Sequence, residues 1–127
     1  MKWINSPKIT PEEKVGFVYQ ITELDTGMVY IGIKKFWKTT KYKPVKRKTK
    51  KHTIKESDWR EYNSSSKELQ AKILLNPNDY KKEILKLCDT ITEMKIHEAY
   101  IQLDYYISGN WNQLYNEMIN LRVRIRK

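Results

Sequence analysis

The sequence predicts a small α+β fold, and three observations predict it. Two short apolar-alternating runs, 16–23 and 28–33, flank the turn signal Asp25-Thr26-Gly27. A third strand-like run covers 80–88. Two spacings of capping-box type, Ser65-x-x-Glu68 and Thr90-x-x-Glu93, open helical stretches. In chain order this reads strand, strand, helix, strand, helix, helix.

Residues 1–14, with Pro7 and Pro11, read as a polar lead-in to a single domain over 15–127. In the first strand Phe17, Tyr19 and Ile21 share one face, and Val18, Gln20 and Thr22 the other. Gly27 supplies the positive φ that a tight hairpin turn requires. On the partner strand Tyr30 and Gly32 share a face, opposite Val29, Ile31 and Ile33. Residues 38–56 show no periodicity and are expected to form a lysine-rich loop or poorly ordered insertion. Order returns at Ser57–Tyr62, where Trp59 and Tyr62 are expected to pack at the start of the first helix. That helix runs from Ser65 to about Leu75 with Leu69, Ile73 and Leu74 on its apolar stripe, and Asn76-Pro77 stops it. A helix of about eighteen residues follows Thr90 and ends at Ser108-Gly109, and a short helix over 111–118, anchored by Trp111, precedes a basic tail.

At 127 residues and 39% hydrophobic, the chain can bury one modest core. Its single cysteine, Cys88, excludes a disulfide framework and reads as a buried thiol. No apolar run approaches the length of a membrane span, and the first residues lack the apolar core of a secretory signal. A soluble protein of the reducing cytoplasm is expected. The net charge is +10, and its distribution is more informative than its sum. Between Asp25 and Glu56 no acidic residue occurs, while eleven bases do: Lys34, Lys35, Lys38, Lys41, Lys43, Lys46, Arg47, Lys48, Lys50, Lys51 and Lys55. Such a run gains by neutralising a polyanion. A solvated loop is the plain alternative; a membrane surface is disfavoured because amphipathic periodicity is missing. Nucleic acid is the favoured partner, with His52 in the run and Arg60 just beyond it as further contacts. Charge alone leaves RNA open beside DNA, and the oligomeric state is not legible.

One carboxylate is out of place. At 100° per residue, Ile91, Met94, Ile101 and Tyr105 fall within about an 80° arc, and Glu98 falls inside it. A carboxylate among apolar neighbours needs a metal, a cation or a proton to offset its desolvation. Either Glu98 sits at the rim of the core or it rises into a site. His97 lies about 100° away around the helix, which disfavours a paired ligand role.

These residues carry a resemblance. With Tyr19 preceded by Gly16-Phe17-Val18, and Tyr30-Ile31-Gly32 eleven residues on, the hairpin resembles that of the GIY-YIG nucleases. The blocks "YIGIKKFW", "SDWREYNSSSKEL" and "YKKEILKLC", with the Glu98 helix and Tyr115-Asn116, look like the small stand-alone members found in tailed bacteriophages. The resemblance implies a three-stranded antiparallel sheet flanked by helices and an endonuclease, phage-encoded and of homing type. It implies that Tyr19 and Tyr30 flank the scissile phosphate, that Glu98 holds one divalent metal, Mg²⁺ or Mn²⁺, and that Asn116 supports the site. The family's arginine after the second motif is replaced by lysines; Lys34 or Lys35 is the expected substitute, without the bidentate fork. A phenol near a metal and several lysines is expected to lose its proton more easily than usual. The rival reading is a non-catalytic basic DNA- or RNA-binding module on the same scaffold.

Overall fold

The computed structural model describes residues 2–42, 51–119 and 121–124. Six strands and two helices follow in order: β1 (Trp3–Ile4), β2 (Gly16–Glu23), β3 (Val29–Lys35), β4 (Trp37–Tyr42), β5 (Lys51–Glu56), α1 (Lys67–Leu75), β6 (Tyr80–Cys88) and α2 (Ile91–Ile107). The main sheet has the order β1-β6-β2-β3, antiparallel except for the parallel pairing of β1 with β6.

The predicted α+β class and hairpin are present, with Tyr19 opposite Gly32 and Ile21 opposite Tyr30. The sheet has four strands rather than three. The lead-in contributes the fourth through Trp3, which is buried, meets Phe17 and Tyr19 edge-on at 5.2 and 5.3 Å, and donates its indole N–H to Trp59 O at 2.7 Å. Two residues are too few to show a period, so composition could not reveal this strand.

Both faces of the sheet are covered. Phe17, Tyr19, Ile21, Tyr80 and Ile84 pack with Phe36, Trp59 and the α1 residues Leu69 and Ile73. Val18, Val29, Ile31 and Cys88 pack against Met94 of α2. The alternation read along β2 is therefore correct as a division of faces, but neither face is wet. Burial raises the Cys88 thiol to about 11, as befits a structural cysteine. A bulge between Val18 and Tyr19 in the β2–β6 pairing changes the parity of β6. Ile84 and Leu87, three residues apart, consequently both face the α1 side.

Residues 38–56 are not wholly irregular. β4 and β5 pair antiparallel as a separate two-stranded ribbon, with Lys41 opposite His52 and Tyr42 opposite Lys51. Its sequence is mostly Lys and Thr, so backbone pairing rather than burial defines it, and no hydrophobic alternation could announce it. Helix α1 is capped by Ser66, not Ser65: the Ser66 hydroxyl accepts from Leu69 N. The Thr90 cap is as predicted, accepting from Glu93 N at 3.0 Å. Beyond Gly109 the described residues form a single 3-10 turn, Trp111–Gln113, and Trp111 is exposed rather than anchoring. The chain then extends along the open edge of β3, bridging Val29 to Leu114 with Tyr115 N donating to Val29 O. An unpaired strand edge offers backbone partners that a terminal helix would forgo.

Candidate active site

Tyr19 and Tyr30 lie side by side on the α1 face of the sheet, ring centroids 6.2 Å apart and nearly parallel. Tyr19 is fully buried. Its hydroxyl has no hydrogen-bond partner among the described residues, although the Tyr62 ring stands edge-on to it at 5.9 Å. Gly32 makes this placement possible, because a Cβ there would run into the Tyr19 hydroxyl. Burial, followed by the neighbouring Tyr62 and Tyr30 phenols and then Glu98, pushes the Tyr19 phenol well above its ordinary range. No charge among the described residues compensates this phenol, so desolvation dominates at Tyr19. Tyr30 is half-buried, and its hydroxyl meets the Ser65 hydroxyl at 2.6 Å.

Asn116 closes the outer side of β3. Its side-chain oxygen accepts from Ile31 N at 2.9 Å and its amide donates to Ile31 O at 2.8 Å. One side chain thereby imitates the next strand and fixes the backbone that carries Tyr30 and Gly32. Tyr30 and Asn116 line a pocket of about 380 Å³ together with Ser66, Glu68 and Tyr115.

Helix α2 runs beside the same edge. Its buried residues are Met94, Ala99 and Gln102, so its inner face is turned by roughly 60° from the predicted apolar arc. Ala99 lets the helix approach, and the Gln102 amide donates to Ile31 O at 3.3 Å. Neither residue scores as apolar bulk, which is why the arc was misplaced. Glu98 still falls inside it, one turn before Gln102. It is half-buried, forms no hydrogen bond or ion pair among the described residues, and burial raises its carboxyl above the usual range. No group of three or more His, Cys, Asp or Glu side chains gathers among the described residues. A partnerless, partly desolvated carboxylate without competing ligands suits a single hydrated Mg²⁺, which keeps most of its waters.

Of the two candidate lysines, Lys34 lies on the tyrosine face. Its ammonium sits 4.1 Å from the Tyr62 ring centroid and 2.7 Å from Asp58, whose carboxyl is held below the usual range chiefly by that hydrogen bond. Lys35 projects to the opposite side and is exposed, so the two substitutes are not equivalent. Lys34, Lys35, Lys38 and Trp37 line a groove of about 540 Å³ together with Asp58 and Met94. Arg60 is partly engaged: its guanidinium lies 4.3 Å from the Trp59 ring, donates to Lys8 O and approaches Glu56 at 3.7 Å. Lys43, Lys46, Arg47, Lys48 and Lys50 lie outside the described residues, and Lys41, Lys51 and His52 are described only as backbone positions of the ribbon.

Sequence reasoning missed Lys82. It is 1% exposed, donates to Tyr62 O at 2.8 Å and Asn63 Oδ1 at 3.0 Å, and lies 4.3 Å from the Trp3 ring centroid. It ties the Trp59–Ser66 segment, and hence Tyr62 and Ser65, to the sheet. Alternation along β6 was its only signal: Tyr80, Lys82 and Ile84 share a face. Burial lowers its ammonium to about 8. From about pH 8 towards the unfolded value of 10.5, the native chain binds fewer protons than the unfolded chain, so this group makes stability rise with pH. The effect reads most cleanly below about pH 9, a full unit under the ordinary tyrosine range. Urea unfolding at stepped pH is expected to show that rise in the wild type and to lose it in Lys82→Met. The variant is also expected to be about 1–3 kcal/mol less stable at pH 7, because two acceptors lose their donor.

A family model described as "Putative endonuclease segE, GIY-YIG domain" matches residues 3–119, which includes Trp3 and ends just beyond Asn116. No curated protein and no solved structure is significantly similar to the chain.

Proposed function

The chain belongs to the GIY-YIG endonuclease family of phosphodiester hydrolases, and on that premise we propose that it hydrolyses DNA backbone bonds with one divalent ion held at Glu98. The single observation that carries this reading is Glu98: an uncompensated, partly desolvated carboxylate whose charge acts on Tyr19, which stacks on Tyr30. Bound there, Mg²⁺ or Mn²⁺ would supply positive charge against the oxygens of the developing phosphorane. The chain's own groups do the rest. Tyr30, accessible and hydrogen-bonded, orients the attacking water. Tyr19, kept protonated by burial, holds Tyr30 in place by stacking. Lys34 adds a charge two residues beyond Gly32, and the groove of Lys35 and Lys38 receives the phosphates that flank the scissile one. A phage-encoded, homing-type setting rests on the sequence blocks quoted above.

One observation favours the rival, a binding module without catalysis: Asp58 already neutralises Lys34, the substitute for the family's arginine. Supercoiled plasmid separates the two readings. With Mg²⁺ or Mn²⁺ the wild type is expected to produce nicked or linear DNA, and Tyr30→Phe to do so about 10²-fold or more slowly. Tight, salt-sensitive binding without any cleavage, under either ion, would establish the rival.

A further inference from the structure

We propose that Ser65 is the positioning residue through which Tyr30 passes its proton to solvent, so that a neutral phenol can act on the attacking water. The inference rests on the nuclease reading and deepens it. It begins with the three consecutive serines that precede α1. Ser66 caps the helix by accepting from Leu69 N. Ser64 braces the turn: its hydroxyl bonds Ser66 N at 3.2 Å and Ser66 O at 3.3 Å, and its carbonyl accepts from Gln70 at 2.6 Å. The helix and its turn make no such use of the Ser65 hydroxyl, which meets Tyr30 Oη at 2.6 Å and also lies against the Tyr62 phenol. Ser64 reaches φ 85, a left-handed conformation uncommon for serine, and turns the chain at this point. Backbone strain of that kind persists where surrounding structure holds it, and here it sets Ser65 against the phenol.

The chemistry requires such an outlet. A phenol at neutral pH still carries its proton and cannot take another from water without releasing its own. Tyr19 has no outlet of its own: its hydroxyl is buried, and the Tyr62 phenol against it leads back to Ser65. Ser65 is exposed, so a proton reaching it reaches bulk water. In one concerted step the water proton passes to Tyr30 Oη, the Tyr30 proton to Ser65 Oγ, and the Ser65 proton to solvent. The hydroxide so formed bonds to phosphorus, the bond from phosphorus to the leaving oxygen breaks, and that oxygen takes a proton from solvent. Both side chains end as they began. Among the described residues, the titratable groups around this pair are Tyr19 of β2, Lys34 of β3, Tyr62 of the preceding loop, Glu68 and Lys72 of α1, Glu98 of α2, and Tyr115 and Glu117 of the C-terminal segment.

The test compares plasmid nicking by wild type, Ser65→Ala and Ser65→Thr between pH 6 and 9.5, with DNA affinity measured separately in chelator. Without the relay, the proton of the attacking water must leave to hydroxide from solution. Ser65→Ala is therefore expected to lose at least about tenfold in rate at pH 7, to recover as pH rises with a log–log slope near one, and to keep its DNA affinity. Ser65→Thr, which retains the hydroxyl, is expected to restore both rate and shallow profile. Cleavage by Ser65→Ala with a profile parallel to the wild type, or failure of Ser65→Thr to exceed Ser65→Ala, would overturn the relay alone. A wild type that never cuts would overturn the nuclease reading, and the relay with it.

Discussion

Glu98→Gln is expected to abolish metal-dependent nicking, by about 10³-fold or more, while making the protein more stable. The loss corresponds to about 4 kcal/mol of transition-state stabilisation, the scale expected when a group that holds positive charge at a reacting phosphate is removed. The gain has a separate origin. Burial raises the Glu98 carboxyl above the usual range, and no cation among the described residues offsets it. Above pH 4.5 the native chain therefore holds its proton more tightly than the unfolded chain, so stability contributed by this group is lost as pH rises. Gln removes that loss. Chelator-treated Glu98→Gln should consequently melt higher than the wild type at pH 7, and the difference should vanish near pH 4. Adding Mg²⁺ should raise the wild-type melting temperature by ligand linkage and leave the variant unmoved. A variant that loses activity and stability together would make Glu98 a structural residue and remove it from the site.

The opposing directions matter because a core residue and a site residue look alike from periodicity. Helical phase put Glu98 among Met94, Ile101 and Tyr105, and the structure keeps it inside the buried arc. The phase itself was off because Ala99 and Gln102 join Met94 on the face turned to the sheet, while Ile101 and Tyr105 sit at its margin. Side-chain bulk is a weak guide where a helix must approach a strand edge closely. The hairpin was legible for the opposite reason: alternation, a turn glycine and cross-strand pairing all specify one register, and Tyr19 faces Gly32 as a result. What stayed illegible depended on long-range backbone demand. The edge of β3 recruits residues 114–116, the bare edge of β6 recruits Trp3, and neither recruitment has a local pattern. Similarly, Ser65 reads as a helix cap by spacing alone; only the turn at Ser64 transfers that role to Ser66 and leaves Ser65 to Tyr30. The sequence therefore names the tyrosines and the carboxylate, whereas the groups that position them become visible in three dimensions.

Gly32→Ala is expected to be the most damaging single-methyl substitution in the site, and its cause is space rather than backbone freedom. Gly27 needs its positive φ of 74 for the hairpin turn, and a Cβ there would meet nothing within 4 Å. Gly32 lies in regular β3 and has no such φ, yet its Cβ would collide with the Tyr19 hydroxyl and ring. Tyr19 has little room to yield: Trp3 at 5.3 Å, Tyr62 at 5.9 Å and Tyr30 at 6.2 Å surround it, and Phe17 stands beside it on the same strand. Overpacking against a fixed aromatic cluster costs about 1–3 kcal/mol. The displaced ring must also disturb Tyr30, so nicking should fall by about 10²-fold, as for misplacement of a positioned group. Gly27→Ala should lose about 1 kcal/mol through turn strain and leave the rate per folded molecule unchanged. Urea midpoints with unchanged m-values, combined with nicking rates corrected for folded fraction, separate the two glycines. If Gly32→Ala lost stability but cut at the wild-type rate, the Tyr19–Tyr30 stack would be packing alone, and the catalytic role would pass to Tyr30 without its neighbour.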